Sequence, residues 1–172
     1  MILTIVSSSI RKERKSHKVA QLLYKVAESK GINVKLVDLQ SIDLPEYGKE
    51  LSEEDLQLKA QLESDLNETD KFIFVSPEYN GFFTSALKSF TDYFSNGPFK
   101  NKRIGVATAT TGAMGGMRAA QMMQLQILGL FGLTMPNVLL TGLIDQKIDN
   151  DIKVLDPVYE SKVNDFIDQV IA

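Results

Sequence analysis

Three stretches of this sequence bring together residue types that could hold a phosphorylated, ring-bearing ligand. The first is Ser7-Ser8-Ser9-Ile10-Arg11-Lys12-Glu13-Arg14-Lys15-Ser16. It offers hydroxyls, guanidinium groups and the free amides of a helix start. Phosphate carries about two charges and several acceptor oxygens, so it needs many donors. The same stretch also reads as a solvated polar loop in which Ser16 caps a helix. His17 is the sole histidine of a chain without cysteine. No partner of its kind could complete a metal site with it, so it is expected to be exposed or beside the phosphate.

The second stretch is Ser76-Pro77-Glu78-Tyr79-Asn80-Gly81. Proline, asparagine and glycine form turns, and the flat ring of Tyr79 beside backbone amides suits a planar heterocycle. An ordinary turn with Asn80 capping the next helix fits the same residues. The third is Thr110-Thr111-Gly112-Ala113-Met114-Gly115-Gly116-Met117-Arg118. Its glycines let backbone approach a ligand closely, although a flexible turn with one helix-capping glycine also explains them. The spacing is not G-x-G-x-x-G and it follows a late strand, so it is no dinucleotide fingerprint. Met114, Met117, Met122 and Met123 suit packing or a subunit interface better than a cofactor contact.

Loops of this kind need a rigid frame. Apolar runs at Ile2–Val6, Val34–Leu39, Lys71–Ser76, Arg103–Ala109 and Pro136–Thr141 read as strands. Helical periodicity follows each: about Ser16 to Lys30, with Gly31 as its stop; a segment opened by Ser52 and Asp55 as a capping box and carrying Leu56, Leu58, Leu62 and Leu66; Phe83–Phe94; Ala113–Leu130; and Val158–Ile171. Strand and helix alternate five times. That order predicts a doubly wound α/β/α domain over residues 1–172 with a five-stranded parallel sheet. Its size favours the flavodoxin-like order 2-1-3-4-5, whose ligands sit beyond the carboxyl ends of the strands. The loops after strands one, three and four meet there, and they are the three stretches above.

Composition narrows the function. The net charge is −3, which argues against a nucleic-acid partner. No apolar run is long enough to span a membrane, and the short apolar N-terminus lacks the leading positive region of a signal peptide. The absence of cysteine is compatible with a reducing cytoplasm, the expected location.

With the three loops placed, Met1 to about Leu130 resembles the NADPH-dependent FMN reductase family, which includes azoreductases, chromate reductases and small quinone reductases. Ser9-Ile10-Arg11 through Ser16, His17, Lys18, Val19 and Ala20 looks like its phosphate loop. Pro77-Glu78-Tyr79-Asn80-Gly81, with Leu87-Lys88 and Asp92-Tyr93 downstream, looks like its most diagnostic motif. Gly112 to Ala119 looks like its glycine-rich flavin loop. The resemblance implies non-covalent FMN with NADPH or NADH as co-substrate. It implies that Ser9, Arg11, Ser16 and His17 lie at the phosphate. Pro77, Glu78, Tyr79, Asn80 and Gly81 would line the ribityl chain and ring. Thr111, Gly112, Ala113, Gly115 and Gly116 would meet the ring's polar edge. Two departures stand out: Ser8 replaces a usual glycine, and Phe82-Phe83-Thr84-Ser85 replaces a polar, Pro-Gly-containing run. The latter is expected to border the open flavin face or a subunit contact.

The implied chemistry is hydride transfer from nicotinamide to flavin, then to a small acceptor, with ping-pong kinetics. No catalytic side chain or metal is expected. Glu78 would oppose negative charge on the reduced ring, so it is expected to face outward or pair with a cation. The partners implied are a small-molecule acceptor and a second copy of the chain, as homodimer or homotetramer. A flavodoxin-type electron carrier is the alternative, though such carriers tend to be strongly acidic. A receiver-type signalling domain would need clustered aspartates at strand ends, where this chain has Ser7-Ser8-Ser9 and Ser76-Pro77.

Overall fold

The computed structural model describes residues 1–94 and 97–172. Its elements follow in the order β1 (Ile2–Ser7), α1 (Lys15–Ser29), β2 (Asn33–Asp38), α2 (Glu53–Asn67), β3 (Lys71–Pro77), α3 (Ser85–Phe94), β4 (Arg103–Ala109), α4 (Met117–Gly129), β5 (Leu133–Thr141) and α5 (Pro157–Ile171). The strands form one sheet in the order β2-β1-β3-β4-β5, every pair parallel. This is the flavodoxin-like order, with the switch point between β1 and β3.

Strand alternation sends successive side chains to opposite faces. Leu3, Ile5, Ile73 and Val75 pack with Val19 and Leu23 of α1 and with Phe166, Ile167 and Val170 of α5. Val6, Phe72, Phe74, Ile104 and Val106 pack with Leu66 of α2, Phe90 and Phe94 of α3, and Met123 and Ile127 of α4. Both faces of the sheet are therefore covered, which is why its strands read as nearly continuous apolar runs.

Local chemistry sets the element ends. α1 is followed by Gly31 at φ 75°, whose N–H donates to Glu28 O, the left-handed stop that glycine allows. The capping box at α2 is formed: Ser52 Oγ accepts from Asp55 N–H, and the Asp55 carboxylate accepts from Ser52 N–H. Only Leu66 of that helix is fully buried, and Leu56 is exposed.

Three boundaries differ from the sequence expectation by two residues or more. α3 starts at Ser85 because Thr84 Oγ1 accepts the N–H of Leu87 and so caps it. α4 starts at Met117, not Ala113, because Gly115 and Gly116 are left-handed and no α-helix continues through two such residues. β5 starts at Leu133, ahead of Pro136. Proline cannot donate to a ladder, and the pairing with β4 slips by two residues between Ile104↔Thr134 and Val106↔Val138 to accommodate it.

Candidate flavin site at the carboxyl edge of the sheet

The β1–α1 turn carries the strongest signature. The side-chain hydroxyls of Ser8 and Ser16 are buried and have no hydrogen-bond partner among the described residues. Buried polar groups are normally paired, so two orphans, one in the turn and one in the first turn of the helix, point to a ligand site. Helix α1 opens on Arg14 with no side-chain cap and no acidic residue in its first turn. Its first amides and positive dipole end are thus free for an anion. This donor set fits a phosphate ester. Ser16 lies inside the helix and does not cap it, which removes the plain-cap reading. Ser8 has no left-handed φ, and its N–H donates to Val75 O at 3.0 Å. Serine in place of glycine therefore adds no backbone strain to the turn.

Ser9 and Tyr79 join the first and second turns, their hydroxyls 3.0 Å apart. The Arg11 guanidinium lies over the Tyr79 ring, 5.8 Å from its centroid, a cation–π arrangement. The second turn is a two-residue hairpin. Tyr79 and Phe82 exchange backbone hydrogen bonds at 2.8 and 3.0 Å, with Asn80 at φ 52° and Gly81 at φ 83°. Positive φ at both central positions is the demand that Asn-Gly meets. Asn80 therefore shapes the hairpin and does not cap α3. Pro77 ends β3, paired with Ala109 of β4. Thr84 Oγ1 donates to Ser8 O at 3.1 Å, tying the start of α3 to the first turn.

Glu78 pairs with a cation, as its charge required. Its carboxylate accepts from Arg118 Nε at 3.0 Å and Nη2 at 2.6 Å, and lies 3.4 Å from the N–H of Ala119. The side chain of Glu78 is spent on the start of α4, where Gly116 supplies no cap, which leaves only its backbone free to line a ligand. The pair latches the second turn to the third. The Arg118 side chain is 75% exposed and that of Glu78 13%, so little core depends on it. Arg118→Ala is expected to weaken FMN binding about threefold to tenfold with an almost unchanged melting temperature. Fluorescence titration of the apoprotein with FMN reads this directly.

In the third turn Thr111, Gly112 and Ala113 face outward, whereas Gly115 and Gly116 are buried. A Cβ on Gly116 would lie 2.9 Å from Thr108 Cβ, and one on Gly115 3.1 Å from Leu140 Cβ. A side chain at either position would therefore meet the neighbouring strands, whatever the backbone amides face. The two glycines make room for β4 and β5, while Gly112 meets nothing within 4 Å.

His17 is half-buried and not exposed. Its Nδ1 shares a hydrogen bond with Ser7 Oγ at 2.9 Å, with Asp38 3.9 Å away, which leaves Nε2 for a ligand. Asp38 receives a two-pronged pair from Arg14, which also donates to Ser9 O at 3.1 Å. Lys15 pairs with Asp145. Of Arg11, Arg14 and Lys15, only Arg11 lacks a carboxylate partner among the described residues. The one sequence signal for the Arg14–Asp38 brace is an acid at the end of β2.

This cluster makes stability acid-sensitive in two stages. Burial, assisted by Arg14 and opposed by Asp38, holds the His17 imidazole below its ordinary value. The folded state then binds a proton less readily than the unfolded one, so stability is full above about pH 6.5 and declines as pH falls below it. Burial pushes the Asp38 carboxyl up, but hydrogen bonds from Arg14 and the Gln40 N–H outweigh it and hold it below the usual range. Its contribution is present above roughly pH 4 and is lost as pH falls through the lowered value. Thermal melts of the apoprotein should show both steps, with His17→Gln removing the upper one and Asp38→Asn the lower.

A flavodoxin-like sheet with an uncapped, hydroxyl-rich helix start at its switch point defines a phosphate-ester-binding α/β protein. The family assignment follows from comparison. Residues 1–144 match the model of the NADPH-dependent FMN reductase family, and the chain belongs to that family. It is an NAD(P)H-dependent oxidoreductase with FMN as its cofactor. An NADPH azoreductase of Bacillus sp. (strain OY1-2) is 29% identical, covering 90% of this chain and 86% of that protein. A quinone reductase of Pseudomonas putida (strain KT2440) is also 29% identical, covering 80% and 76%. FerB, an NAD(P)H:acceptor oxidoreductase from Paracoccus denitrificans, superposes with a TM-score of 0.79 at 21% identity, covering 99% of this chain and 97% of that one. Among the described residues no helix is long and apolar enough to cross a membrane.

Proposed function

We propose that the chain binds FMN across the three turns and reduces a small acceptor at the expense of NAD(P)H by ping-pong kinetics, oxidised nicotinamide leaving before the acceptor enters. FMN supplies the redox chemistry when bound, accepting a hydride and delivering electrons. The protein supplies position and charge. Ser8, Ser9, Ser16 and the first amides of α1 hold the phosphate, with Arg11 and His17 Nε2 beside it. Pro77, Glu78, Tyr79, Asn80 and Gly81 border the ribityl chain and ring, Glu78 through its backbone. The outward amides of Thr111, Gly112 and Ala113 meet the ring's polar edge, and Gly115 and Gly116 hold that turn in shape. Arg118 neutralises Glu78, so no free carboxylate of this turn opposes negative charge at the ring.

The observation that carries this reading is the pair of buried, unpartnered hydroxyls at Ser8 and Ser16 beneath an uncapped helix. The test is reconstitution with excess FMN followed by desalting. Retained yellow colour supports the reading, and a colourless protein ends it. Anaerobic NADPH should then bleach the flavin; failure to bleach would return the site to an electron carrier serving protein partners. Parallel double-reciprocal plots check the ping-pong order.

The named relatives act on azo compounds and quinones, and the acceptor here falls among flavins, quinones, azo compounds and metal oxyanions. Residues 1–172 act as one flavin-binding domain, since every strand joins one sheet. A cytoplasmic location accords with a chain that has no cysteine. A homodimer or homotetramer accords with the outer face of α4: Met117, Leu125 and Leu128 are exposed there, with Phe131 and Leu133 beyond its end, whereas Met123 is buried in the core. Sedimentation of monomer alone at working concentration would remove the assembly.

A further inference from the structure

Beside the flavin turns, on the α3 side of the sheet, lies a cleft of about 840 Å³. That is the size of a small-molecule site. One wall is the segment that leaves β2, from Leu39 to Tyr47; the other runs from Phe82 into α3. Phe82, Phe83, Thr84 and Ser85 all line it. The cleft is built and held open. Tyr47 N–H donates to Ser89 Oγ at 2.8 Å, and Tyr93 Oη–H donates to Pro45 O at 2.8 Å. The Tyr47 and Tyr93 rings meet edge to face, 5.5 Å between centroids. Two hydrogen bonds and one ring contact fix a segment without regular secondary structure against a helix.

Its rim is apolar where solvent reaches it. Ile10 is 57% exposed, Tyr47 59% and Phe82 49%. Single exposed apolar side chains are ordinary, but three that converge on one concave rim mark a binding surface. Ile10 follows Ser9 of the phosphate turn and Phe82 closes the Asn-Gly hairpin, so this rim adjoins the flavin site. The charge on the cleft is negative. Asp43 and Glu46 line it without a cationic partner among the described residues, while Lys88 is neutralised by Asp92. The nearby Arg11 guanidinium is turned over Tyr79.

We infer that this cleft binds the aromatic body of the electron acceptor and selects flat, fused-ring molecules that are neutral or cationic over anionic ones. The inference rests on the acceptor-reductase reading above. Aromatic walls offer stacking and edge contacts to a flat ring. Two uncompensated carboxylates repel an anion and attract a cation. For a quinone the balance is NAD(P)H + H⁺ + quinone → NAD(P)⁺ + hydroquinone, so no further reductant is needed.

Equilibrium dialysis of oxidised, FMN-loaded protein without nicotinamide tests this with three probes: naphthoquinone, its ring sulfonate and the N-methylphenazinium cation. The chain has no cysteine for a quinone to alkylate. The neutral and cationic probes should bind roughly tenfold more tightly than the sulfonate. The exposed pair Asp43→Lys/Glu46→Lys should shrink or reverse that preference by about fivefold or more. Ser85→Trp, which fills the cleft from an exposed position, should weaken all three probes about tenfold, with FMN content and sedimentation unchanged. Equal binding of the three probes, a preference untouched by charge reversal, or binding indifferent to Ser85→Trp would overturn the inference. A change in sedimentation on Ser85→Trp would assign the cleft to a second copy of the chain and overturn it too. FMN retention and bleaching use none of these probes. If retention failed, dialysis of the apoprotein would still decide the cleft.

Discussion

Ser8→Ala combined with Ser16→Ala should leave the apoprotein as stable as before, or more so, while FMN affinity falls by two orders of magnitude or more. The two effects have opposite signs for one reason. In the apoprotein each hydroxyl is buried with no partner, and a buried unsatisfied polar group costs about 1–3 kcal/mol. Alanine removes that cost, and the small void it leaves offsets part of the gain. With FMN bound, each hydroxyl donates to an anion, and such a bond is worth roughly 1.5–3 kcal/mol, or about tenfold to a hundredfold in affinity. Melting of the apoprotein and fluorescence titration with FMN, done on the same samples, separate the terms. A double variant that melts lower while binding FMN normally would make both serines structural, and the phosphate site would have to lie elsewhere.

Gly142→Ala is expected to lower stability by about 1–3 kcal/mol and to weaken FMN binding together, although residue 142 lies outside all three ligand turns. A Cβ there would come 2.9 Å from Ala113 C and 3.0 Å from Gly112 O, and closer still to Ala113 O. These are backbone atoms, which cannot swing aside as a side-chain end can. The turn they belong to is also fixed by Leu143 N–H donating to Gly112 O at 3.1 Å and Thr110 Oγ1 donating to the same oxygen at 2.9 Å. Relief of the clash must therefore move Gly112 and Ala113, the outward part of the turn. Gly129→Ala is the matched control. Nothing lies within 4 Å of its Cβ and its position is helical, so it should gain about 0.5–1 kcal/mol. Binding unaffected by Gly142→Ala, despite a lower melting temperature, would place the ring's polar edge away from this turn.

The fold was legible almost to its boundaries. Apolar runs and helical stripes are local signals, and five alternations leave few topologies. Local signals mislead where a special backbone residue intervenes: Gly115 and Gly116 delay α4, and Pro136 lies inside a strand that begins three residues earlier. Of the site, the three turns were legible because hydroxyls, Asn-Gly and glycine clusters declare themselves over a few residues. The residues that hold those turns were not. Arg14 meets Asp38 across 24 positions and Arg118 meets Glu78 across 40. Gly142 matters only because the chain returns beside Gly112. Nothing in the local sequence separates these from any other exposed charge or loop glycine.

Residue type and spacing alone determined the layers and the parallel sheet, and marked the edge proposed for the chemistry, because periodicity and turn preference act between near neighbours. Only the tertiary structure decided which serines lack partners, which cations are already neutralised, and that an acidic, aromatic cleft opens beside the flavin turns. Those properties depend on burial and on pairing between distant segments, and both exist only once the chain has closed on itself.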